Sequence, residues 1–257
     1  MSNPYLEVVE SIRARSSEIG ESSTIPEPPN LLDECGLGRD LVDCPVCNNS
    51  GVICSVNADG VFWAKECECM KTRRSLRRIK QSGLQDALER YSFESYQTPD
   101  ARRASILEKA KEYCAADGGW FYIAGQSGSG KTHICTAICG ELMKKYDVLY
   151  ALWRELAPKL KSLLNEPEYD DEMRKLKTVR VLYVDDFLKG KVTDADINLA
   201  FELLNARYNN SKLRTIISSE LTIENVLQID EGLGGRIYER SRGFMVMPPQ
   251  ENWRLRK

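Results

Sequence analysis

The octapeptide Gly125–Thr132, GQSGSGKT, fits the phosphate-binding pattern G-x-x-x-x-G-K-[ST] at every fixed position. It follows residues 120–124, which have the apolar character of a buried strand, and precedes residues 132–145, which have the apolar spacing of a helix. Strand, glycine-rich turn and helix in this order aim backbone N–H groups and a helix N-terminus at a phosphate chain. The motif therefore predicts an α/β sheet with a phosphate site at a strand end.

The residues of this loop have distinct expected roles in binding a nucleotide. Lys131 is expected to reach the β- and γ-phosphates, and the Thr132 hydroxyl is expected to ligate Mg²⁺. The predicted nucleotide-binding residues of this region are Gly125, Gln126, Ser127, Gly128, Ser129, Gly130, Lys131, Thr132 and His133.

A pair of acids supplies the partner that such a loop needs. The apolar, β-branched run 179–184 reads as a strand and ends in Asp185-Asp186. Asp185 is predicted to hold Mg²⁺ with Thr132, and Asp186 is predicted to orient the attacking water. Asp186 is one methylene shorter than the commoner Glu, so the sequence supports ATP binding more strongly than fast hydrolysis.

The region after residue 91 alternates between strand and helix patterns. Such alternation predicts a parallel five-stranded sheet with helices on both faces. The chain ends about ten residues after the last predicted strand, so we expect no full C-terminal helical lid. The predicted strands are 120–124, 147–153, 179–184, 214–219 and 243–247, and the main predicted helices are 101–116, 131–145, 154–165 and 194–209.

Four cysteines indicate a structural zinc site, Cys44 and Cys47 in C-x-x-C spacing and Cys67 and Cys69 in the closer C-x-C spacing. Cys54 is an alternative ligand, although it lies on a presumed strand of the hairpin between the pairs. The only histidine follows the phosphate loop, so four thiolates are expected to fill the site. Nine cysteines beside a nucleotide loop also favour a reducing cytoplasm.

The chain divides into three predicted parts: an acidic segment with a Pro-rich linker, 1–34, a zinc module with a basic helix, 35–90, and an ATPase core, 91–257. The first part has seven acids, whereas residues 71–80 hold six bases and no acid. That basic run, within a helix expected to break at Gly83, is either a solvated face or a contact with single-stranded DNA or an acidic surface. No apolar run is long enough to span a bilayer.

Several motifs in order resemble the AAA+ ATPases of the DnaC/DnaI helicase-loader family, particularly phage-like versions. The resemblance covers essentially the whole chain from Cys44. Besides the cysteine module, the phosphate loop and the acid pair, it rests on YSFESY at 91–96, ELLNARY at 202–208, IISSE at 216–220 and GGRIYER at 234–240.

The resemblance implies further site residues. Ser219, or Glu220 instead, would be the polar group that reads the γ-phosphate. Arg236, or Arg240 one helical turn later, would be an arginine finger acting on ATP held by a neighbouring subunit. Arg254 would belong to a short terminal nucleotide-sensing element. Phe93 and Tyr96 would either line the adenine pocket or close the core.

The resemblance implies an ATP-dependent loader that binds a DnaB-type replicative helicase and helps to place it on single-stranded DNA. ATP/ADP, Mg²⁺ and Zn²⁺ would be its cofactors, and it would self-associate in the bacterial cytoplasm, encoded by host or phage. Two alternatives stay open: a transposition-helper ATPase, and an adaptor that binds nucleotide without hydrolysing it. ATPase activity with helicase and DNA present distinguishes the adaptor from the enzymes.

Overall fold

The computed structural model describes residues 44–56, 62–81 and 85–253. The N-terminal part of this range is a small antiparallel hairpin of two strands, β1 (Val52–Val56) and β2 (Phe62–Glu66). The hairpin agrees with the strands predicted between the two cysteine pairs. Asp59-Gly60, the turn sequence expected to join the two strands, lies outside the described residues, as do the acidic segment 1–34 and Gly83.

A five-stranded sheet, parallel at each pairing, forms the centre of the molecule, as the alternating pattern predicted. The spatial order of its strands is β4-β5-β6-β3-β7. The third strand along the chain thus lies between the sixth and the seventh. These strands are β3 (Trp120–Ala124), β4 (Val148–Leu152), β5 (Val181–Phe187), β6 (Arg214–Ser219) and β7 (Met245–Val246).

Nine helices lie within the described residues, and the four main predicted helices are among them with ends shifted by one or two residues. The basic stretch predicted as one helix with a break forms two helices. The helices are α1 (Cys69–Gln81), α2 (Gln85–Arg90), α3 (Ala101–Ala115), α4 (Lys131–Met143), α5 (Trp153–Leu163), α6 (Glu168–Thr178), α7 (Asp194–Tyr208), α8 (Ile223–Ile229) and α9 (Glu231–Arg240).

Two apolar clusters sandwich the sheet, because successive side chains of a strand point to opposite faces. On β3, Tyr122 belongs to one cluster with residues from α5 to α9, whereas Phe121 and Ile123 belong to the other with residues from α3 and α4. Helix α6 was not predicted because only Met173 and Leu176 of its side chains are buried, which leaves little periodic pattern.

Helix α1 joins the N-terminal hairpin to the main sheet at its edge. The backbone N–H of Val148, on edge strand β4, donates a hydrogen bond of 2.9 Å to the buried Ser75 hydroxyl. Arg74 of the same helix lies 4.0 Å from the Asp147 carboxylate. The predicted boundary at residue 91 thus falls after a helix that already contacts the sheet.

The buried guanidinium of Arg207 connects helix α7 with helix α6 and strand β6. Arg207 of α7 donates to the Leu176 carbonyl at 2.8 Å, to the Val179 carbonyl at 2.9 Å and to the Arg214 carbonyl at 2.7 Å. Burial lowers the pKa of Arg207 to about 9.

Within the described residues, none of the helices has the length and apolar character required to cross a bilayer.

Candidate nucleotide-binding site and thiol cluster

A cleft of about 460 Å³ opens at the carboxyl ends of the sheet strands, where ligands of open α/β sheets bind. The phosphate loop forms its floor and contributes Ser127 through Thr132 to the lining. Asp186 and Lys189 reach the cleft from the segment at the end of β5. The remaining lining residues come from the segment before α3, from α3 and α4, and from the last described residues: Tyr91, Ser95, Tyr96, Gln97, Arg103, His133 and Trp253.

Two glycines give the loop its shape. Gly128 and Gly130 have φ angles of +78° and +94°, a region in which residues with a Cβ are strained. Gly130 is the N-cap of α4, so the loop passes directly into the helix that follows. The glycine positions of the motif therefore reflect a backbone path that other residues adopt only at a cost.

Lys131 lies at the centre of this loop with its side chain largely buried. Its ammonium group donates to the carbonyls of Gly125 at 2.6 Å and Gln126 at 2.9 Å. Burial lowers the pKa of Lys131. These two carbonyl contacts hold the Lys131 ammonium group beside the loop, where backbone N–H groups also attract anions.

Two buried hydroxyls beside the loop test how well the cleft fits a nucleotide. Within the described residues, neither the Ser129 nor the Tyr96 hydroxyl has a hydrogen-bond partner. Both residues line the cleft. Because buried polar groups are usually paired, these hydroxyls fit a polar ligand such as a nucleotide.

Asp185 is held by groups from three neighbouring elements. Its Oδ2 accepts from the Thr132 hydroxyl at 3.5 Å and from the Tyr150 hydroxyl of β4 at 3.2 Å, and its Oδ1 accepts from the Ser218 hydroxyl of β6. The structure thus brings together the two residues predicted to ligate Mg²⁺. Carboxylate and hydroxyl oxygens are suitable ligands for this hard cation.

Asp186 lies on a tight turn that ends β5. Its φ is +51° and that of Leu188 is +52°, and the pairing of β5 with β6 shifts register between Val184 and Phe187. This irregularity places Asp186 in the cleft although it follows Asp185 directly. The Asp186 carboxylate is ion-paired with Lys189 at 3.2 Å.

Ser219, the predicted γ-phosphate reader, bonds to the backbone and does not contact the acid pair through its hydroxyl. The Ser219 hydroxyl donates to the Phe187 carbonyl at 2.8 Å and accepts from the Leu221 N–H at 3.1 Å. It is Ser218, one residue earlier, that contacts Asp185. Glu220, the alternative, is ion-paired with Lys189 at 2.9 Å.

An aromatic group covers one side of the loop. The ring of His133 stacks on Tyr91 with ring centroids 4.6 Å apart and meets the edge of Tyr96 at 5.1 Å. The His133 ring nitrogen Nε2 lies 3.1 Å from the Ser95 hydroxyl. Burial lowers the pKa of His133, which favours a neutral imidazole. Tyr96 lines the cleft and is also a buried member of the apolar cluster of α3 and α4, against which Phe93 packs.

The last described residues return to the loop. The backbone N–H of Trp253 donates to the Gly128 carbonyl at 3.0 Å, and the buried Arg103 guanidinium lies 4.6 Å from the Trp253 ring centroid. Arg103 also pairs with Glu251 at 3.4 Å. Sequence reasoning missed Arg103, whereas Trp253 lies in the terminal segment Glu251–Arg254 that the resemblance implied as a nucleotide-sensing element. Arg254, the predicted sensing residue, lies outside the described residues.

The two candidate arginine fingers lie on α9 and do not line the cleft of their own chain. Arg236 donates to the Asn205 side chain at 2.9 Å and to the Gly232 carbonyl at 2.8 Å, and it lies over the Phe201 ring at 4.6 Å. Arg240 donates to the Ser211 carbonyl at 3.3 Å.

The four predicted zinc ligands converge in a separate cluster. Cys44 and Cys67 have sulfur atoms 3.8 Å apart, those of Cys47 and Cys69 are 3.6 Å apart, and all four lie within 4.8 Å of one another. A tetrahedral zinc with bonds of about 2.3 Å separates its sulfurs by about 3.8 Å. Cys54 is not part of the cluster.

The chemistry of the four thiols fits a divalent metal. All four cysteines are buried. Hydrogen bonding to Cys44, Cys67 and Cys69 lowers the pKa of the Cys47 thiol, so the cluster favours a thiolate at that position. Such a site has no open position for a water, which is the arrangement of a structural zinc centre.

Two of the bases in the predicted basic run have partners within this module. Arg73 is buried and donates to the Asn49 side chain at 2.7 Å, and Asn49 in turn accepts from the Cys44 N–H at 2.8 Å. Arg74 pairs with Glu66 of β2 at 2.5 Å. These contacts tie α1 to the cysteine loop.

Comparison with known families identifies the chain. A family model described as IstB-like ATP binding protein matches residues 56–240, which include the phosphate loop and both acids. The chain belongs to this family. As an IstB-like ATP-binding protein, it carries Cys44 and Cys47 before the matched region, and Cys67 and Cys69 within it.

Two relatives of this IstB-like protein come from Bacillus subtilis strain 168. The uncharacterized protein YqaM is 35% identical over 202 residues, which are 72% of this chain and 63% of YqaM. Phage-like element PBSX protein XkdC is 32% identical over 246 residues, which are 84% of this chain and 91% of XkdC. The replicative helicase loader DnaC of Escherichia coli K12 is 27% identical over 187 residues, 69% of this chain and 72% of DnaC.

Solved structures establish the fold class of the IstB-like chain. A crystal structure of DnaI superposes with a TM-score of 0.54 at 23% identity, covering 62% of this chain and 91% of that one. A crystal structure of the DnaC helicase loader gives 0.53 at 20% identity, covering 61% and 96%. The predicted AAA+ P-loop fold is therefore confirmed, with an IstB/DnaC-type ATP-binding domain.

Proposed function

We propose that this protein is an ATP-dependent loader that binds a DnaB-type replicative helicase and helps to place it on single-stranded DNA. The observation that carries this proposal is similarity to a replicative helicase loader over 69% of the chain, combined with a cleft lined by the phosphate loop and Asp186. A relative named as a phage-like element protein, matched over 91% of its own length, favours a phage-type version acting in the bacterial cytoplasm.

ATP is the proposed ligand of the cleft. The phosphate loop would bind its phosphates, with Lys131 at the β- and γ-phosphates, and Thr132 and Asp185 would hold Mg²⁺. The magnesium ion would neutralise charge on the phosphates as the terminal group is transferred. Asp186 would orient the attacking water, and the hydroxyls of Tyr150 and Ser218 would keep Asp185 in place.

Hydrolysis is proposed to depend on assembly. Arg236 lies outside its own cleft, which supports a role at the cleft of a neighbouring subunit, where a guanidinium stabilises the transferring phosphoryl group. Arg240 is the alternative finger. Arg236→Ala is expected to leave ATP affinity nearly unchanged and to remove the turnover stimulated by helicase and DNA. Unchanged stimulated turnover would assign the finger elsewhere.

The thiol cluster is proposed to hold one structural Zn²⁺ that shapes a helicase-binding module. The cluster geometry supports the metal, and the tie between Arg73 and Asn49 supports a module with a fixed path for α1. Bases of α1 and of the core would contact DNA phosphates, with Arg73 excluded from this role because its side chain is buried.

The first test is light scattering after size exclusion of the full chain mixed with a DnaB-type hexamer, with and without ATP. Co-elution that persists in Arg236→Ala and is lost in Cys44→Ser is expected if the zinc module grips the helicase. Cys54→Ser is the matched control, since Cys54 lies outside the cluster. No co-elution of the intact protein with any DnaB-type hexamer would contradict the loader proposal.

A transposition helper is the second candidate. The family model itself is IstB-like, and a putative insertion sequence ATP-binding protein of Sinorhizobium fredii is 27% identical over 49% of this chain. ATP-dependent polymerisation on duplex DNA without helicase binding would favour this candidate. Nucleotide binding without turnover, even with helicase and single-stranded DNA present, would instead favour a non-hydrolysing adaptor.

A further inference from the structure

One cation of the cleft has no role in the nucleotide chemistry described above. Lys189 lines the cleft, and its ammonium group lies 3.3 Å from Oδ1 and 3.2 Å from Oδ2 of Asp186. It also lies 2.9 Å from the Glu220 carboxylate at the end of β6. The Lys189 side chain is 24% exposed and that of Asp186 is 26% exposed, so the pair is partly shielded from water.

The turn after β5 fixes this cation beside Asp186. The Lys189 N–H donates to the Asp186 carbonyl at 3.1 Å, which folds the chain back on itself. Phe187 and Leu188 are buried and anchor the turn, and the φ of +52° at Leu188 is an uncommon conformation for an apolar residue. Local backbone strain of this kind persists only where the surrounding structure imposes it.

An ion pair with both carboxylate oxygens has a direct chemical consequence for Asp186. A carboxylate orients water by accepting a hydrogen bond from it, and an ammonium group bound to both oxygens competes for the same lone pairs. Glu220 adds a second anion that stabilises Lys189 in this position. Asp186 and Glu220 therefore share one cation across two adjacent strand ends.

We infer that Lys189 is a positioning residue that restrains Asp186 and keeps basal ATP hydrolysis slow. The inference rests on the proposed function, in which Asp186 orients the attacking water. Release of the restraint requires only that Lys189 shift toward Glu220 or toward another anion in the cleft, because these groups already compete for it. The restraint is electrostatic, so it weakens as ionic strength rises.

The test compares the steady-state ATPase of the full chain with that of Lys189→Ala, in the absence of helicase and DNA. Basal kcat is expected to rise about two- to five-fold, the range for loss of a partly exposed ion pair, while the Kd for a fluorescent ATP analogue stays nearly unchanged. Lys191→Ala is the matched control, because Lys191 is an exposed lysine two residues away and loses the same charge.

Two further measurements separate restraint from a structural role. The wild-type basal kcat should rise with added salt more than that of Lys189→Ala, which has no ion pair to screen. Lys189→Arg, which keeps a cation beside Asp186, should instead retain the slow basal kcat of the wild type. A lower kcat together with weaker nucleotide binding in Lys189→Ala would overturn the inference, since Lys189 would then bind phosphate.

The outcomes also distinguish this inference from the proposed function. Equal basal turnover in wild type and Lys189→Ala, with normal stimulation by helicase and DNA, would refute the restraint and leave the loader intact. Faster turnover in Lys189→Ala without helicase binding would support the restraint and contradict the loader. If neither protein hydrolyses ATP under any condition, both the restraint and the ATPase activity are wrong.

Discussion

Two adjacent glycines on α9 allow the packing of this helix against α8 to be measured. A Cβ at Gly234 would lie 2.8 Å from the Leu227 backbone nitrogen and 2.9 Å from its Cα, closer than such atoms approach in folded proteins. A Cβ at Gly235 would meet no atom within 4 Å. Gly234→Ala and Gly235→Ala therefore make the same chemical change in one helix, and only the first meets a neighbouring backbone.

The expected magnitudes follow from two opposing effects. Replacing glycine by alanine in a helix interior gains up to about 1 kcal/mol in either variant. Forcing an extra methyl group into a filled space costs about 1–3 kcal/mol. Gly235→Ala should therefore be neutral or more stable than the wild type. Gly234→Ala should be less stable than Gly235→Ala by about 1–3 kcal/mol.

Urea unfolding of the two variants in parallel measures this difference, because the helix-propensity gain cancels between them. A shift in the midpoint at constant m-value reports stability alone. Helix α9 also carries Arg236, so Gly234→Ala should reduce assembly-stimulated turnover more than Gly235→Ala does. Equal midpoints for the two variants would refute the close approach of α8 and α9 at Leu227.

Three further perturbations have expected outcomes. After thiol modification, the wild type should release one zinc per chain to a colorimetric chelator. Cys44→Ser should contain no zinc, whereas Cys54→Ser should keep the wild-type zinc content. Full zinc content in Cys44→Ser would contradict the cluster. Because burial lowers the folded-state pKa of His133 below its ordinary 6.5, the unfolded chain takes up the proton first, so stability should fall as the pH drops from 7.5 through 6.5 toward the folded-state pKa. As His133 is the only histidine, His133→Asn should flatten this dependence between pH 7.5 and 5.5, and an unchanged slope would assign it to other groups. Arg207→Met should lower the free energy of unfolding by about 3–5 kcal/mol, because it leaves buried carbonyls without donors. Lys212→Met, at an exposed position, should have little effect. Equal small effects of the two substitutions would contradict the buried network.

Much of the fold was predictable from local patterns. The five strands and four main helices follow from apolar periodicity, which reports only which face of an element is buried. The strand–loop–helix order around Gly125–Thr132 predicted where the phosphate site lies, because carboxyl ends of parallel strands share one edge. The bounds of helices α8 and α9 were not predicted, since their short lengths and the glycines of α9 weaken the pattern.

Roles that depend on the direction of a side chain could not be predicted in the same way. Ser218 and Ser219 are chemically identical neighbours, and the pleat of β6 together with the irregular end of β5 decides which one contacts Asp185. Arg73 is one base among six in a run predicted to be either a solvated face or a contact with DNA or an acidic surface, yet it is buried against Asn49. Composition and spacing contain no information on either choice.

The sequence by itself determined the phosphate loop, the acid pair and the four cysteines, because each is a short pattern whose chemistry depends on residue type and spacing. Only the tertiary structure decided that Lys189 and Arg103 line the same cleft and that the Tyr150 hydroxyl donates to Asp185. These residues belong to separate elements of the chain, and their convergence follows from strand order and the turn after β5. Contacts between distant segments arise from packing of the whole core, which no local window of sequence records.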